Sequence, residues 1–171
     1  MSPWIILLSG PTSSGKTSLA ESLQQRLSTR RRPFLHIEAD QFGMPHVPTE
    51  WDQTKEQSRF NRAFRQSASA YAEEGYDLII DGILPYGDPD DLIDALGQYR
   101  AFRLCYVGVR CDLRTLENRV SARSDRGLDF ARQQFQNLHE GQTYDVEVDT
   151  TNRTPDEAAE IIAQFIESQD Q

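Results

Sequence analysis

The stretch Gly10-Pro11-Thr12-Ser13-Ser14-Gly15-Lys16-Thr17 matches the pattern G-x-x-x-x-G-K-[ST] in full. It follows an apolar run at residues 4–8, which is typical of a strand, and a helical pattern begins at Lys16. The glycines allow the backbone to curl so that several N–H groups face one anion. The helix that follows adds partial positive charge at its N-terminus. The sequence therefore predicts a strand, a phosphate-binding loop and a helix in that order.

The side chains of this loop have separate expected roles. Lys16 is predicted to contact the β- and γ-phosphates, and the Thr17 hydroxyl to coordinate Mg²⁺. Asp81 ends a second apolar run at 78–80, where a carboxylate can also help to hold Mg²⁺, through a bound water. The alternative for Asp81 is a residue that only caps the end of a strand. The residues predicted to bind nucleotide are Gly10, Pro11, Thr12, Ser13, Ser14, Gly15, Lys16, Thr17, Ser18 and Arg119.

Short apolar runs alternate with amphipathic stretches along the whole chain. The runs lie at 4–8, 34–37, 78–80, 102–109 and 146–148. Runs of this kind, separated by helices, favour parallel strands covered on both faces, and hence a doubly wound α/β sheet. The predicted helices span 16–28, 55–74, 88–96, 112–123 and 154–168, with N-caps at Asp88, Asp112 and Thr154.

The composition narrows the range of partners. Among 171 residues, 18 basic and 27 acidic side chains give a net charge of −9, which argues against nucleic acids and anionic membranes. Sixteen of the basic residues are Arg, and the two lysines are Lys16 and Lys55. Cys105 and Cys111 show no metal or disulfide spacing and are interpreted as reduced thiols of a cytoplasmic protein. No apolar segment approaches the length of a membrane span.

Asp40 lies at the end of the second predicted strand. Ligands of open α/β sheets collect beyond the carboxyl ends of the strands, so Asp40 is expected to face the γ-phosphate from the acceptor side. A carboxylate there can accept the proton of an attacking hydroxyl. The alternative is an N-cap for a turn at 41–43. Glu38 is expected to point to the other face or deeper, and no role is assigned to it.

Arginines cluster between residues 110 and 132, ahead of an acidic C-terminal third. Leu113, Leu116 and Val120 form an apolar stripe that is expected to pack a helix on the sheet. Arg119 and Arg123 share one face of that helix, and Arg126 follows in a turn. These three are interpreted as a lid that neutralises charge during phosphoryl transfer, with Arg123 and Arg126 catalytic. The alternative, which is preferred for Arg110, Arg114 and Arg132, is pairing with the acidic third.

Several stretches together resemble the chloramphenicol phosphotransferase family of shikimate-kinase-like P-loop kinases. They are the loop at 10–17, Val107-Gly108-Val109-Arg110-Cys111-Asp112, the arginines from Arg119 to Arg126, and residues 139–151. The resemblance implies one P-loop kinase domain over 1–171, with a three-layer α/β/α fold. It further implies a five-stranded parallel sheet in the order 2-3-1-4-5 and an arginine-bearing helical lid. The acidic base of the family matches Asp40, and the family's lid arginines match Arg119, Arg123 and Arg126.

The implied activity is ATP-dependent transfer of the γ-phosphate to a hydroxyl of a small molecule, with ATP and Mg²⁺ as cofactors. Chloramphenicol is the named possibility for the acceptor. A kinase of a metabolite or nucleoside and a nucleotide-dependent switch without transfer activity are the alternatives. The chain has Asp81-Gly82 where the family pattern has two consecutive acids, and residues 42–64 differ from the family. The sequence contains no N-K-x-D motif, so it gives no support for guanine binding.

The acceptor pocket is expected to be partly apolar. Its candidate residues are Phe42, Met44, His46, Trp51, Phe60, Phe64 and Tyr86, and ordinary packing is the alternative for each. His139 is interpreted as a hydrogen-bonded structural residue, and a catalytic role is the alternative. The three histidines and two cysteines have no zinc-site spacing.

Overall fold

The computed structural model describes residues 2–28, 33–42, 46–82, 84, 89–123 and 127–170, without the side chains of Asp40 and Pro89. Five strands and six α-helices follow one another along this part of the chain, and they alternate except where α5 directly follows α4. They are β1 (Trp4–Ser9), α1 (Lys16–Ser28), β2 (Phe34–Glu38), α2 (Gln53–Glu73), β3 (Asp77–Asp81), α3 (Pro89–Gly97), β4 (Arg103–Arg110), α4 (Leu113–Ser121), α5 (Leu128–Asn137), β5 (Val146–Asp149) and α6 (Pro155–Gln169). A 3₁₀ turn, Ala39–Phe42, directly follows β2.

The five strands form one sheet in the order β2-β3-β1-β4-β5, and every neighbouring pair is parallel. This order confirms the predicted one. β1 lies at the centre, where Leu8 is in register with Asp81 of β3, and Ser9 with Gly108 of β4. Glu38 of β2 is in turn in register with Asp81. The carboxyl ends of β1, β2 and β3 therefore meet at one edge of the sheet.

Side chains of β1 alternate between two hydrophobic clusters because successive residues of a strand point to opposite faces. Trp4, Ile6 and Leu8 pack with α1 and α6 on one face. Ile5 and Leu7 pack on the other face with α2 and with residues around α3. All five are nearly or fully buried. A sheet covered by helices on both faces is the predicted three-layer arrangement.

The helix predicted at 112–123 differs from expectation in its packing. Leu116 and Val120 of α4 are buried, but they pack with Ala131 of α5 in a third cluster instead of on the sheet. Leu113 is 39% exposed, so its place in the apolar stripe was wrong. Helix α5 was not predicted, because it is short and offers few apolar residues as a pattern.

The helix caps explain most of the observed boundaries. Asp112 accepts a hydrogen bond from the Thr115 N–H at 2.7 Å, and Thr154 forms a reciprocal capping box with Glu157, both as predicted. Helix α2 begins two residues earlier than predicted because the Asp52 side chain caps it by accepting from the Lys55 N–H. The predicted cap Asp88 lies outside the described residues.

Cys105 and Cys111 are both buried and unpaired. Burial raises the pKa of the Cys105 thiol to about 12 and that of Cys111 to about 11, so both stay protonated near neutral pH. Within the described part of the chain, no helix is both long and apolar enough to span a bilayer.

Candidate functional site

The loop between β1 and α1 is held in a conformation that two glycines make possible. Gly15 has φ of +96°, in the left-handed region that favours glycine, and Ser13 has φ of +62°. A Cβ atom on Gly10 would lie 2.3 Å from the Val109 carbonyl oxygen, so β4 leaves no room for a side chain there. The Ser14 N–H donates to the Pro11 carbonyl at 3.1 Å, which closes the turn. The loop therefore has a defined curvature.

The Lys16 side chain folds back over this loop. Its ammonium Nζ donates to the carbonyl oxygens of Gly10 at 2.9 Å and Pro11 at 3.0 Å. The positive charge thus sits at the start of the loop, beside the N-terminus of α1. An ammonium and a helix N-terminus at one point favour an anion there.

Thr17 and Asp81 lie side by side where α1 begins and β3 ends. The Thr17 hydroxyl donates to Asp81 Oδ2 at 2.6 Å, and Asp81 is 8% exposed. Among the described residues, no group of three or more His, Cys, Asp or Glu side chains is placed to hold a metal. Mg²⁺ commonly uses one or two protein oxygens and completes its shell with phosphate and water. The hydroxyl–carboxylate pair fits such a site, and Thr17 and Asp81 would hold the ion.

Arg119 connects α4 to the loop. Its guanidinium donates to the Ser14 carbonyl at 3.3 Å and to both the hydroxyl and the carbonyl of Thr150, at 3.1 and 2.9 Å. The exposed Arg123, two residues beyond α4, lines a cleft that opens over the loop. Arg126 lies outside the described residues. Two of the three predicted lid arginines are therefore brought to the cleft over the loop.

Two further contacts to the loop were missed by the sequence reasoning. Gln134 of α5 is fully buried, and its Oε1 accepts a hydrogen bond from the Thr12 N–H at 2.8 Å. The Thr150 hydroxyl, beyond β5, donates to the Ser14 carbonyl at 2.6 Å. More than 100 residues separate the partners in each pair, so no local pattern could have indicated them.

A cleft of about 570 Å³ opens over the loop. Its walls come from the loop and α1, from the carboxyl ends of β2 and β3, and from the segments around α4 and α6. The lining includes Thr12, Ser13, Gly15, Lys16, Thr17, Ser18, Glu38, Asp81, Gly82, Arg119, Arg123, Thr150, Arg153 and Pro155. The expectation that Glu38 faces away was therefore wrong: it is the last residue of β2 and turns into the cleft.

Asp40 lies two residues beyond Glu38, inside the 3₁₀ turn. Its backbone is at the sheet edge predicted for it, and its side chain is outside the description. Glu38 Oε1 accepts a hydrogen bond from Gln41 Nε2 at 2.6 Å, which holds this carboxylate beside the turn.

The candidate acceptor residues are dispersed. Phe42 and Phe64 contact each other edge to face, with ring centroids 5.1 Å apart. His46 and Trp51 are exposed and do not line the cleft, and Phe60 is half-buried on α2. Met44 and Tyr86 lie outside the described residues.

The remaining arginines form surface contacts. Arg110 pairs with Glu147 of the acidic third, as predicted, whereas Arg132 pairs with Glu117 of α4 at 2.7 Å. Arg114 forms no ion pair with any residue that the structure describes. His139 Nδ1 is 2.7 Å from the Tyr144 hydroxyl, and burial lowers the pKa of His139 to about 4, so the ring is neutral near pH 7.

A parallel sheet in the order 2-3-1-4-5, with this loop between β1 and α1, defines a P-loop protein. The chain belongs to the chloramphenicol phosphotransferase-like protein family, whose model matches residues 4–167. Curated protein sequences gave no significant match.

Solved structures share the fold over nearly their whole length. APS kinase from Mycobacterium tuberculosis is 17% identical, with a TM-score of 0.72 over 97% of this chain and 98% of that one. A tunicamycin resistance protein from Deinococcus radiodurans is 18% identical, with a TM-score of 0.70 over 97% and 96%. Shikimate kinase from Aquifex aeolicus is 16% identical, with a TM-score of 0.62 over 96% and 97%. At these identities the likeness establishes a common fold.

Proposed function

We propose that this protein is an ATP-dependent phosphotransferase that moves the γ-phosphate to a hydroxyl of a small molecule. The observation that carries the proposal is one cleft in which Lys16, the Thr17–Asp81 pair and two arginines face the carboxyl end of β2. Membership of a phosphotransferase-like family supports the same reaction class.

The residues on the nucleotide side bind and neutralise phosphate. Loop N–H groups and the Lys16 ammonium hold the phosphates, while Arg123 and Arg126 stabilise the charge on the transferring oxygens. Mg²⁺, when bound by Thr17 and Asp81, offsets negative charge on the phosphates. Because Arg119 is anchored to Ser14 and Thr150, its part is to position the loop and the nucleotide.

The acceptor side needs a carboxylate. The acceptor oxygen attacks the γ-phosphorus, the bond to the bridging oxygen breaks, and ADP leaves with that electron pair. Asp40 is the proposed base that takes the hydroxyl proton. Glu38 is a second candidate because it lines the cleft at the end of β2.

Two groups of hydroxyl compounds are candidate acceptors: antibiotics such as chloramphenicol, and small metabolites. The family description names chloramphenicol. Gluconokinase from Sinorhizobium meliloti and the shikimate kinase share the fold of this chain, which supports a metabolite kinase as the alternative function.

The direct test is transfer of label from [γ-³²P]ATP to a panel of hydroxyl compounds that includes chloramphenicol, gluconate and shikimate. We expect a labelled organic phosphate with at least one acceptor, and about 10²- to 10³-fold slower labelling with Lys16→Ala. The matched control is Lys55→Ala, which removes an exposed lysine of α2. ATP hydrolysis that no acceptor alters would instead favour a nucleotide-dependent switch.

A further inference from the structure

A second, small cavity of about 30 Å³ lies under α2, at the carboxyl ends of β1 and β3. Its walls are mostly apolar and include Leu7, Ile80 and Phe64. Gly82 lines both this cavity and the large cleft, so the two spaces adjoin next to Asp81. The cavity is therefore on the side of the cleft where an acceptor would lie.

Arg65 of α2 brings a positive charge into this apolar cavity. The residue is 8% exposed, and its Nε donates to Gln98 Oε1 at 3.1 Å. Neither terminal guanidinium nitrogen has a hydrogen-bond partner among the described residues, and no described carboxylate forms an ion pair with it. Asp94 and Asp91 of α3 attract the guanidinium electrostatically without forming an ion pair with it. Desolvation lowers the pKa of Arg65, which shows that burial disfavours the charge.

Tyr99 places a second unsatisfied donor at the same cavity. Its side chain is fully buried, and its hydroxyl has no hydrogen-bond partner among the described residues. A buried donor without a partner destabilises the folded state. The Tyr99 hydroxyl and the terminal nitrogens of Arg65 therefore both suit a ligand that brings acceptors of hydrogen bonds.

We propose that the Arg65–Tyr99 cavity binds a carboxylate of the phosphoryl acceptor, so that the substrate is a hydroxy acid. The proposal rests on the proposed phosphotransferase function and adds the class of its substrate. Arginine pairs with a carboxylate through two parallel N–H···O bonds, and Tyr99 can donate a third. A cavity of about 30 Å³ has roughly twice the 10–15 Å³ that one water needs, so it suits the two oxygens of a carboxylate.

The test compares each acid with a neutral partner of the same skeleton, for example gluconate with gluconamide and shikimate with its methyl ester. In the wild-type protein we expect kcat/KM to favour the acid by about tenfold or more, the range for a charge-assisted hydrogen bond. Arg65→Met should abolish this preference by raising KM for the acid while leaving the neutral partner nearly unaffected. Tyr99→Phe should reduce it in part.

Arg62→Met is the matched control, because Arg62 is an exposed arginine of the same helix. It should keep the acid preference. Equal kcat/KM for acid and neutral partner in the wild-type protein, or an acid preference that survives Arg65→Met, would overturn the proposal. If chloramphenicol, which has no carboxylate, is the best acceptor of the panel, the proposal is also wrong.

Thermal unfolding gives a readout that does not depend on transfer. Without ligand, Arg65→Met should unfold at the same or a higher temperature, because it removes a charge that burial disfavours and that pairs with no described carboxylate. Gluconate or shikimate should raise the unfolding temperature of the wild-type protein but not of Arg65→Met. A lower unfolding temperature of the unliganded variant would indicate a structural role instead, and Arg65→Lys together with Tyr99→Phe would then decide on the acid preference.

The two proposals fail in different ways. A protein that transfers no phosphate to any hydroxyl compound contradicts the proposed function, even if an acid still raises its unfolding temperature. A protein that phosphorylates acids and neutral compounds alike retains the function and loses the carboxylate site.

Discussion

The nucleotide side and the acceptor side of the cleft are built in different ways. The nucleotide side comes from one continuous segment, Gly10 to Thr17, whose backbone and Lys16 lie together because they are neighbours in sequence. The acceptor side is assembled from the end of β2, the end of β3 and one face of α2. A contiguous site carries a motif, whereas a dispersed one carries none.

Both sides of the cleft hold polar groups without a partner among the described residues, but in different settings. On the nucleotide side, Arg119 and Gln134 bond the loop backbone from separate elements, while the buried Ser14 hydroxyl has no such partner. On the acceptor side, the Tyr99 hydroxyl has none, and Arg65 is bonded through Nε alone. Donors beside the loop suit phosphate oxygens, and those beside the small cavity suit a ligand that brings its own acceptors.

The largest effect is expected at the acceptor-side carboxylate. Asp40→Asn should lower kcat by about 10²- to 10⁴-fold, the range for a general base, while ATP affinity changes little. Glu38→Gln is the matched variant, and isothermal titration with an ATP analogue is the measurement of affinity. If Glu38→Gln loses transfer and Asp40→Asn keeps it, the base is Glu38.

The second-largest loss of activity is expected on the nucleotide side, at Lys16. Lys16→Ala should lower kcat/KM by about 10²- to 10³-fold, since it removes a charged group from the transferring phosphate. Steady-state kinetics with ATP varied measures it, and Lys55→Ala should behave as wild type. Wild-type kinetics in Lys16→Ala would place the phosphates elsewhere in the cleft.

A smaller effect tests the link between α5 and the loop. Gln134→Leu leaves the Thr12 N–H without its partner, so we expect the free energy of unfolding to fall by about 1–3 kcal/mol. Urea unfolding measures the loss, and Gln133→Leu, at an exposed position of the same helix, is the control. Equal losses in both variants would mean that the Thr12 contact contributes nothing.

The smallest effect is expected on the pH dependence of stability, and it concerns His139, which lines neither side of the cleft. Burial lowers the pKa of His139 to about 4 in the folded state, below the usual 6.5 of an unfolded chain. The unfolded state therefore binds more protons between these values, and stability falls as pH decreases from about 6.5 to 4. His139→Gln should flatten the unfolding free energy across this window in urea titrations. His46→Gln, an exposed histidine, should leave it unchanged.

Sequence patterns predicted the elements that carry a strong local signal. All five strands, the start of α1 at Lys16 and the capping box at Thr154 follow from apolar runs and capping residues. Helix α5 and the packing of α4 against it were missed, because Leu128, Ala131 and Phe135 are too few to form a clear stripe. The orientation of Glu38 depends on how β2 leads into the 3₁₀ turn, which alternation alone does not determine.

The resemblance to a known family implied the order of the strands, whereas the sequence by itself determined the fold class and the phosphate loop. These follow from short-range periodicity and from a contiguous motif whose backbone chemistry requires glycine at set positions. Only the tertiary structure brought Gln134 to Thr12, turned Glu38 into the cleft and buried Arg65 beside Tyr99. Such contacts join residues far apart in the chain, and they depend on how the helices pack on the sheet and on one another.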